Sequence, residues 1–349
     1  MVSALFCLLG IATEAAAQAL SPPKGYLAYR AKAPVVIDGK LDDASWNNAP
    51  WTDDFVDIEG DKKPRPRFQT RAKMLWDDEY FYVGAELKEP HIWGTLTKHD
   101  SVIFQDNDFE IFIDPDGDTH NYYELEINVL NTEWDLILKK AYRDGGPALN
   151  AWEVPGLKTA THVNGTLNDP SDTDTSWTVE WAIPWKVLAE FANKPSPPKD
   201  GDQWRVNFSR VEWEHLVEGK TYKKVPAKPE ANWVWSPQGF IDMHRPESWG
   251  YVQFVTSEPG KGVFKADPAD AVRQRLMNVY WAQKTYREKN KEWALKPEDL
   301  GEEFAQPLND QSKVEIKAAE TGYVASIALK TNPPAVWTIR EDSRMTPRP

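Results

Sequence analysis

Carboxylates and amides whose spacing suits ligand binding are concentrated between residues 104 and 139. Glu110 lies in one segment of alternating polar and apolar residues, and Glu126 and Asn128 lie in a second, at 123–130. Because side chains alternate across a strand, an antiparallel pair of these segments would place the three polar groups on one face. Glu110 and Glu126 are also the candidates if two carboxylates cleave a glycosidic bond.

Three further carboxylates occupy alternate positions in the turn between these segments, at Asp114, Asp116 and Asp118. Oxygen donors at this spacing around a glycine suit Ca²⁺, although the bidentate Glu and flanking helices of an EF-hand are absent. Acidic residues are also ordinary turn formers, so a simple polar turn is the alternative. We expect a structural Ca²⁺ in the protein, with this turn as its candidate site.

Two strands must position these groups, since the apolar residues of both segments recur at every second position. The alternating apolar residues are Phe109, Ile111, Ile113, Leu125, Ile127 and Val129. The same period predicts strands at 33–38, 69–76, 80–87, 157–167, 176–183, 204–213, 233–236 and 249–254. An antiparallel β-sandwich with one polar face flanked by aromatic residues is the fold that this pattern favours.

Six motifs in order, from residue 34 to about residue 254, resemble the carbohydrate-binding module family 9 domain and its stand-alone relatives. They are VIDGKLDDASW at 36–46, KMLWDDEYFYVGAEL at 73–87, DFEIFIDPDGD at 108–118, SWTVEWAIPWKVL at 176–188, WRVNFSRVEW at 204–213 and SWGYVQF at 248–254. The resemblance implies a β-sandwich closed at one end by Trp46, structural calcium, and a sugar held between two aromatic faces.

The resemblance also suggests positions for the sugar contacts. It aligns Phe104 with one aromatic platform, and Glu110 and Asn128 with polar contacts. The second platform falls near Met243, where the family has Trp, and Glu126 falls where the family has a positively charged side chain. The candidates for the missing aromatic face are Trp93, Trp213 and Trp235.

Arg210 is predicted to share a strand face with aromatic residues. Two interpretations are open: Arg210 is a buried ion-pair partner of Glu110 or Glu126, or it is a fork that binds the ligand.

Composition limits the partners. The chain has 349 residues, a net charge of −13 and 17 tryptophans. An acidic chain without concentrated Lys and Arg is not expected to bind nucleic acid or an anionic membrane. Most of the tryptophans are expected in the core, because large aromatic side chains dominate core burial.

Residues 1–19 resemble an export signal, with a short apolar run and small residues suitable for cleavage. The run is too short to span a membrane. Cys7 is the only cysteine and falls inside this segment, so disulfides are not expected in the mature chain. We therefore predict a periplasmic, cell-surface or extracellular protein.

The sandwich domain is predicted at 30–256, and the pattern changes from residue 267 onward. A helix at 269–293 and short strands at 314–318, 323–328 and 336–339 predict a small α+β extension over 267–349. Its helix aromatics are expected to dock the extension, which could also bind a protein partner.

These observations favour an exported, non-catalytic protein that binds a polysaccharide or oligosaccharide and is linked to carbohydrate catabolism. The alternatives are an O-glycosyl hydrolase that uses the same acidic face, an envelope protein-interaction module, and a purely structural sandwich.

Overall fold

The computed structural model of the protein describes residues 22–309, 311–330 and 334–348. Strands from two packed layers form a sandwich, and a smaller unit of helix and sheet follows it. The predicted β-sandwich with a small α+β extension is confirmed. The predicted export segment, 1–19, lies outside the described residues.

Fifteen strands of the described chain precede residue 256. They are β1 (Gly25–Arg30), β2 (Val56–Asp57), β3 (Thr70–Trp76), β4 (Tyr80–Lys88), β5 (Asp108–Asp114), β6 (His120–Asn128), β7 (Glu133–Lys140), β8 (Ala148–Leu149), β9 (Lys158–Asn164), β10 (Ser176–Pro184), β11 (Gln203–Glu212), β12 (His215–Glu218), β13 (Thr221–Lys224), β14 (Ala231–Val234) and β15 (Gly250–Val255). A short helix, α1 (Trp185–Leu188), follows β10.

The first layer has the strand order β8-β7-β6-β5-β11-β15, and the second has β3-β4-β10-β9. Strand β1 joins them, because it pairs in parallel with both β15 and β3. The predicted first strand at 33–38 is wrong, and the first strand of the described residues is β1. Pro34 has no backbone N–H, and the N–H of Val36 donates to Asp43 Oδ2 rather than to a neighbouring strand.

The core between the layers is apolar and rich in aromatic rings. The inward-facing residues of β5 and β6 pack there with residues of β4 and β10, as the alternation predicts. Many of the tryptophans lie in this core and are almost fully buried: Trp76, Trp177, Trp181, Trp185, Trp204 and Trp235.

Trp46 is structural, but it does not close one end of the sandwich as the resemblance implied. It packs on the outer face of the second layer with Leu75, Tyr82 and Ala182, because the neighbours of these residues along β3, β4 and β10 face the core between the layers. Its side chain is fully buried, and Nε1 donates to Glu180 Oε1 at 2.7 Å. The other oxygen of Glu180 accepts the N–H groups of Asp38 and Gly39. Burial raises the pKa of Glu180 to about 7, because the charged form is poorly solvated.

The extension contains α2 (Asp270–Asn290), α3 (Glu302–Ala305), β16 (Glu315–Ala318), β17 (Tyr323–Leu329), β18 (Ala335–Arg340) and β19 (Met345–Arg348). Helix α2 packs on β17 and β18, with Tyr280 fully buried. Tyr280 Oη donates to Asp144 Oδ1 at 2.7 Å, and Arg344 Nε donates to Asp118 Oδ2 at 3.0 Å. The extension is therefore docked on the sandwich. No helix among the described residues is long and apolar enough to cross a membrane.

Candidate functional site

An acidic row lies on the outer face of the first layer. The β5–β6 register pairs Glu110 with Glu126 and Phe112 with Glu124, and Asp108 lies two residues before Glu110. Since paired residues share a face, all four carboxylates project from the side of the sheet that faces away from the core. The sheet thus brings together Glu110 and Glu126 as predicted.

These carboxylates are buried and crowded. Their residues are 0% (Asp108), 5% (Glu110), 6% (Glu124) and 1% (Glu126) exposed. Asp108, Glu110 and Glu126 each offer an oxygen, and these oxygens lie within 4.8 Å of one another. Among the described residues, no Lys, Arg or His forms an ion pair with any of the four.

Burial gives this row unusual acid–base properties. It raises the pKa of Glu110 to about 7, and it raises the pKa values of Asp108, Glu124 and Glu126 well above the ordinary range. Repulsion from Glu110 adds to the shift at the other three positions. The row therefore requires protons or a cation near neutral pH.

Phe104 and Trp213 lie together at one edge of the row. The N–H of Phe104 donates to Glu126 Oε2 at 3.0 Å, and Trp213 Nε1 donates to the carbonyl of Phe104 at 2.8 Å. Both side chains are half-buried, and Lys224 Nζ lies 3.5 Å from the centroid of a Trp213 ring. Of the three tryptophans considered for the second aromatic face, Trp213 is the one that the structure places beside Phe104.

More aromatic side chains surround the opposite edge. Trp134 pairs with Glu126 across β6 and β7, and its side chain is half-buried. Tyr142 is 50% exposed and packs edge-on against His244, with ring centroids 4.6 Å apart. Burial, followed by the charges of Glu124 and Glu126, raises the pKa of Tyr142. Partly exposed rings therefore flank the carboxylates on both edges.

His244, which packs against Tyr142 at this edge, is expected to make the stability of the protein depend on pH. Its Nδ1 lies 3.1 Å from Tyr122 Oη, and burial, followed by repulsion from Arg143, lowers its pKa from 6.5 to about 4. The neutral form is favoured in the folded protein, so its stabilising contribution is complete above pH 6.5 and is lost as the pH falls to 4. We expect the wild type to lose roughly 2 kcal/mol more than His244→Gln between pH 7 and pH 4, allowing for residual solvent contact. Urea unfolding at several pH values measures this difference, and parallel stability curves for the two proteins would contradict it.

Asn128 lies on the row but does not present a free amide. Its Nδ2 donates to the carbonyl of Leu96 at 2.8 Å and to Asp106 Oδ2 at 3.0 Å. Its Oδ1 accepts the N–H groups of Leu130 and Thr132. The side chain is fully buried and holds the β6–β7 turn, so the expected sugar contact is replaced by a structural role.

Arg210 projects from the other face of β11, because its neighbour Ser209 is the residue paired with Glu110. Its Nη2 contacts Glu89 Oε2 at 2.6 Å and Glu212 Oε2 at 2.9 Å. Only 1% of the side chain is exposed. The predicted pairing with Glu110 or Glu126 is therefore corrected to a buried ion pair with Glu89 and Glu212, and no fork remains for a ligand.

Trp93 and Trp235 are also withdrawn from solvent. Trp235 belongs to the main core and packs against Tyr26 and Phe208. Trp93 is 4% exposed and stacks on Tyr222. The structure therefore places both rings in packing contacts rather than on an open face.

The acidic turn after β5 has a donor set that fits calcium. Asp114, Asp116 and Asp118 each offer an oxygen, and these oxygens lie within 4.8 Å of one another. Asp114 Oδ1 also accepts the N–H of Gly117, which shapes the turn. Burial, followed by the charges of Asp116 and Asp118, raises the pKa of Asp114. Hard oxygen donors on a turn suit Ca²⁺, and its presence stays a prediction.

The sequence analysis did not predict Asp108 as part of the carboxylate row, or Trp134 and Tyr142 as aromatic residues at its edge. For Asp108 the signal was available, because it precedes Glu110 by two residues and must share its face. Trp134 becomes a rim residue only through the β6–β7 register, and Tyr142 only through the turn after β7.

Residues 37–208 match the carbohydrate family 9 binding domain-like family. Exoglucanase XynX of Acetivibrio thermocellus is 29% identical over 153 residues, which are 44% of this chain and 12% of that protein. Endo-1,4-beta-xylanase A of Thermotoga neapolitana is 28% identical over 167 residues, which are 46% of this chain and 13% of that protein. The chain thus spans only about an eighth of the length of these relatives.

Two solved structures are similar in outline. A carbohydrate binding module family 9 from Caldicellulosiruptor kristjanssonii in complex with cellotriose superposes with a TM-score of 0.45 and 18% identity, over 70% of this chain and 100% of that one. Its complex with glucose gives a TM-score of 0.44 and 19% identity, over 68% of this chain and 100% of that one. The chain therefore contains a carbohydrate family 9 binding domain-like region at residues 37–208.

Proposed function

We propose that this protein binds a polysaccharide, or oligosaccharides derived from it, on the outer face of β5, β6 and β7 without cleaving it. The observation that carries this proposal is the buried carboxylate row with partly exposed aromatic rings at both edges. Aromatic rings provide flat apolar surfaces for sugar rings, and the rings at the two edges are the proposed contacts, since the carboxylates between them are at most 6% exposed. Phe104 and Trp213 form one side of the proposed site, and Trp134 and Tyr142 form the other.

The relatives suggest the class of sugar. They are named as an exoglucanase and endo-1,4-beta-xylanases, so we propose a β-linked glucan or xylan as the ligand. A link to carbohydrate catabolism and export through residues 1–19 belong to the same proposal. We further propose that the turn of Asp114, Asp116 and Asp118 binds a structural calcium ion.

Binding is tested by isothermal titration calorimetry with cello- and xylo-oligosaccharides. We expect Phe104→Ala and Trp213→Ala each to weaken binding at least about tenfold, because an aromatic anchor at the centre of a binding site is commonly worth about 2 kcal/mol or more. Trp51→Ala is the matched control. Trp51 is a half-buried ring that packs against Arg71 and Lys73 of β3, in the other layer.

The same solutions are assayed for released reducing sugar. Binding without release supports the proposal. Release that Glu110→Gln or Glu126→Gln abolishes would replace it with an O-glycosyl hydrolase. Equal affinity of the Phe104, Trp213 and Trp51 variants would show that the sugar does not bind at this face.

A further inference from the structure

The carboxylate row poses an electrostatic problem that sugar hydroxyls alone do not solve. Asp108, Glu110, Glu124 and Glu126 are each at most 6% exposed, and no ion pair within the described chain reaches them. Desolvating an ionised carboxylate costs several kcal/mol or more unless a positive charge or several donors compensate it. A bound cation or added protons must therefore offset the cost of burying these carboxylates.

The hydrogen bonds of the protein cover only part of the row. Asp108 Oδ1 accepts the N–H of Val211 at 3.1 Å, and Glu126 Oε2 accepts the N–H of Phe104 at 3.0 Å. Asp108 Oδ2 and Glu124 Oε2 are buried and have no hydrogen-bond partner. Glu124 lies outside the closest set of three, but it is next to it, because its carboxyl group interacts with those of Glu110 and Glu126 while its Oε2 stays buried without a partner.

Lys224, a basic residue at the edge of the row, does not contact the four carboxylates. Lys224 Nζ lies over a Trp213 ring and contacts Gln105 Oε1 at 3.3 Å. It forms no ion pair with the row, so the lysine does not provide the missing charge.

The geometry points to a metal ion. Oxygens of Asp108, Glu110 and Glu126 lie within 4.8 Å of one another, and ligands about 2.4 Å from one ion are at most about 5 Å apart. We propose that Asp108, Glu110 and Glu126 bind a hard divalent cation, with Glu124 available as a further oxygen ligand. The donors are all oxygens, which favours Ca²⁺, Mg²⁺ or Mn²⁺ over Zn²⁺.

The backbone is well suited to hold such an ion. Asp108 and Glu110 are on β5 and Glu126 is on β6, and the two strands are joined by six consecutive residue pairs. Ligands fixed on paired strands lose little freedom on binding, so the site needs no rearrangement of the chain. This site is distinct from the acidic turn, which follows Asp114 at the end of β5.

The test counts bound ions and requires no sugar, so its failure is separable from failure of the proposed function. The protein is equilibrated with Ca²⁺, separated from free ions and measured by native mass spectrometry and by elemental analysis. We expect two ions in the wild type, one of them in the acidic turn. Asp116→Asn should keep the ion of the row, whereas Glu126→Gln should lose it, and the double variant should hold neither.

Glu86→Gln is the matched control, because Glu86 pairs with Arg71 and Lys88 on the other layer and its substitution should leave the number of bound ions unchanged.

If Glu126→Gln does not fold, the thermal unfolding of the Asp116→Asn protein is measured with Ca²⁺, Mg²⁺ or Mn²⁺ and with a chelator. A rise in Tm of several degrees with an ion is expected. An Asp116→Asn protein that holds no ion and shows no such rise, or a folded Glu126→Gln protein with the wild-type count, would overturn the proposal in favour of protonated carboxyl groups.

Discussion

Arg210→Met is expected to lower the free energy of unfolding by about 3–5 kcal/mol, since removing one partner of a buried ion pair leaves an uncompensated charge. The guanidinium of Arg210 contacts both Glu89 and Glu212, and all three side chains are at most 2% exposed. Burial and repulsion from Glu212 already raise the pKa of Glu89 well above its ordinary value, whereas the charge of Arg210 lowers it. Methionine keeps much of the volume but none of the charge.

The measurement is urea unfolding at pH 7, with Arg71→Met as the control. Arg71 pairs with Glu86 on a side chain that is 32% exposed, so its loss should cost less than about 1 kcal/mol. Adding Glu89→Gln and Glu212→Gln to Arg210→Met should recover part of the stability. Equal costs for the two arginine variants would contradict the assignment of a buried ion pair.

Trp46→Ala is expected to lower the free energy of unfolding by about 3–5 kcal/mol, because it opens a large cavity on the outer face of the second layer. The variant also removes the hydrogen bond to Glu180 Oε1, which leaves that buried carboxylate with two backbone donors. Trp46→Phe fills more of the space but still lacks the N–H group, so its cost should lie between the wild type and the alanine variant.

Thermal or urea unfolding of the Trp46 variants is compared with that of Trp51→Ala. Trp51 is only half-buried, so its removal should cost clearly less. A Trp46→Ala protein as stable as Trp51→Ala would mean that the Trp46 side chain does not anchor residues 36–46 on the second layer.

Local pattern predicted the elements that carry the site. The period of two residues identified β5 and β6, and Asp77-Asp78-Glu79 marked the turn of the β3–β4 hairpin, where Asp77 Oδ1 accepts the N–H groups of Glu79 and Tyr80. These features depend on neighbours within a few residues, which is the range over which sequence periodicity carries information. The face shared by Glu110 and Glu126 followed from them.

Which polar groups remain free on that face could not be predicted in the same way. Arg210 pairs with Glu89, which is 121 residues away in sequence. The side-chain amide of Asn128 donates hydrogen bonds to Leu96 and Asp106. Trp93 is buried against Tyr222 and Trp235 is buried against Tyr26, and both partners are distant in sequence. The sequence can show that a polar or aromatic residue is placed where it could contact a ligand. Whether its atoms are free to do so depends on partners that are distant in sequence.

The carboxylate of Asp144, in the turn after β7, joins the sandwich to the extension. Its oxygens accept Tyr280 Oη and Lys284 Nζ at 2.7 Å and Ser343 Oγ at 2.9 Å, and its side chain is 1% exposed. Releasing the extension would break these three contacts at once and strip the buried hydroxyl of Tyr280 of its partner. A half-open state with the sandwich folded and residues 267–348 detached is therefore costly. By sequence the sandwich ends near residue 256 and the extension begins at residue 267, but we expect the two units to unfold as a single cooperative body.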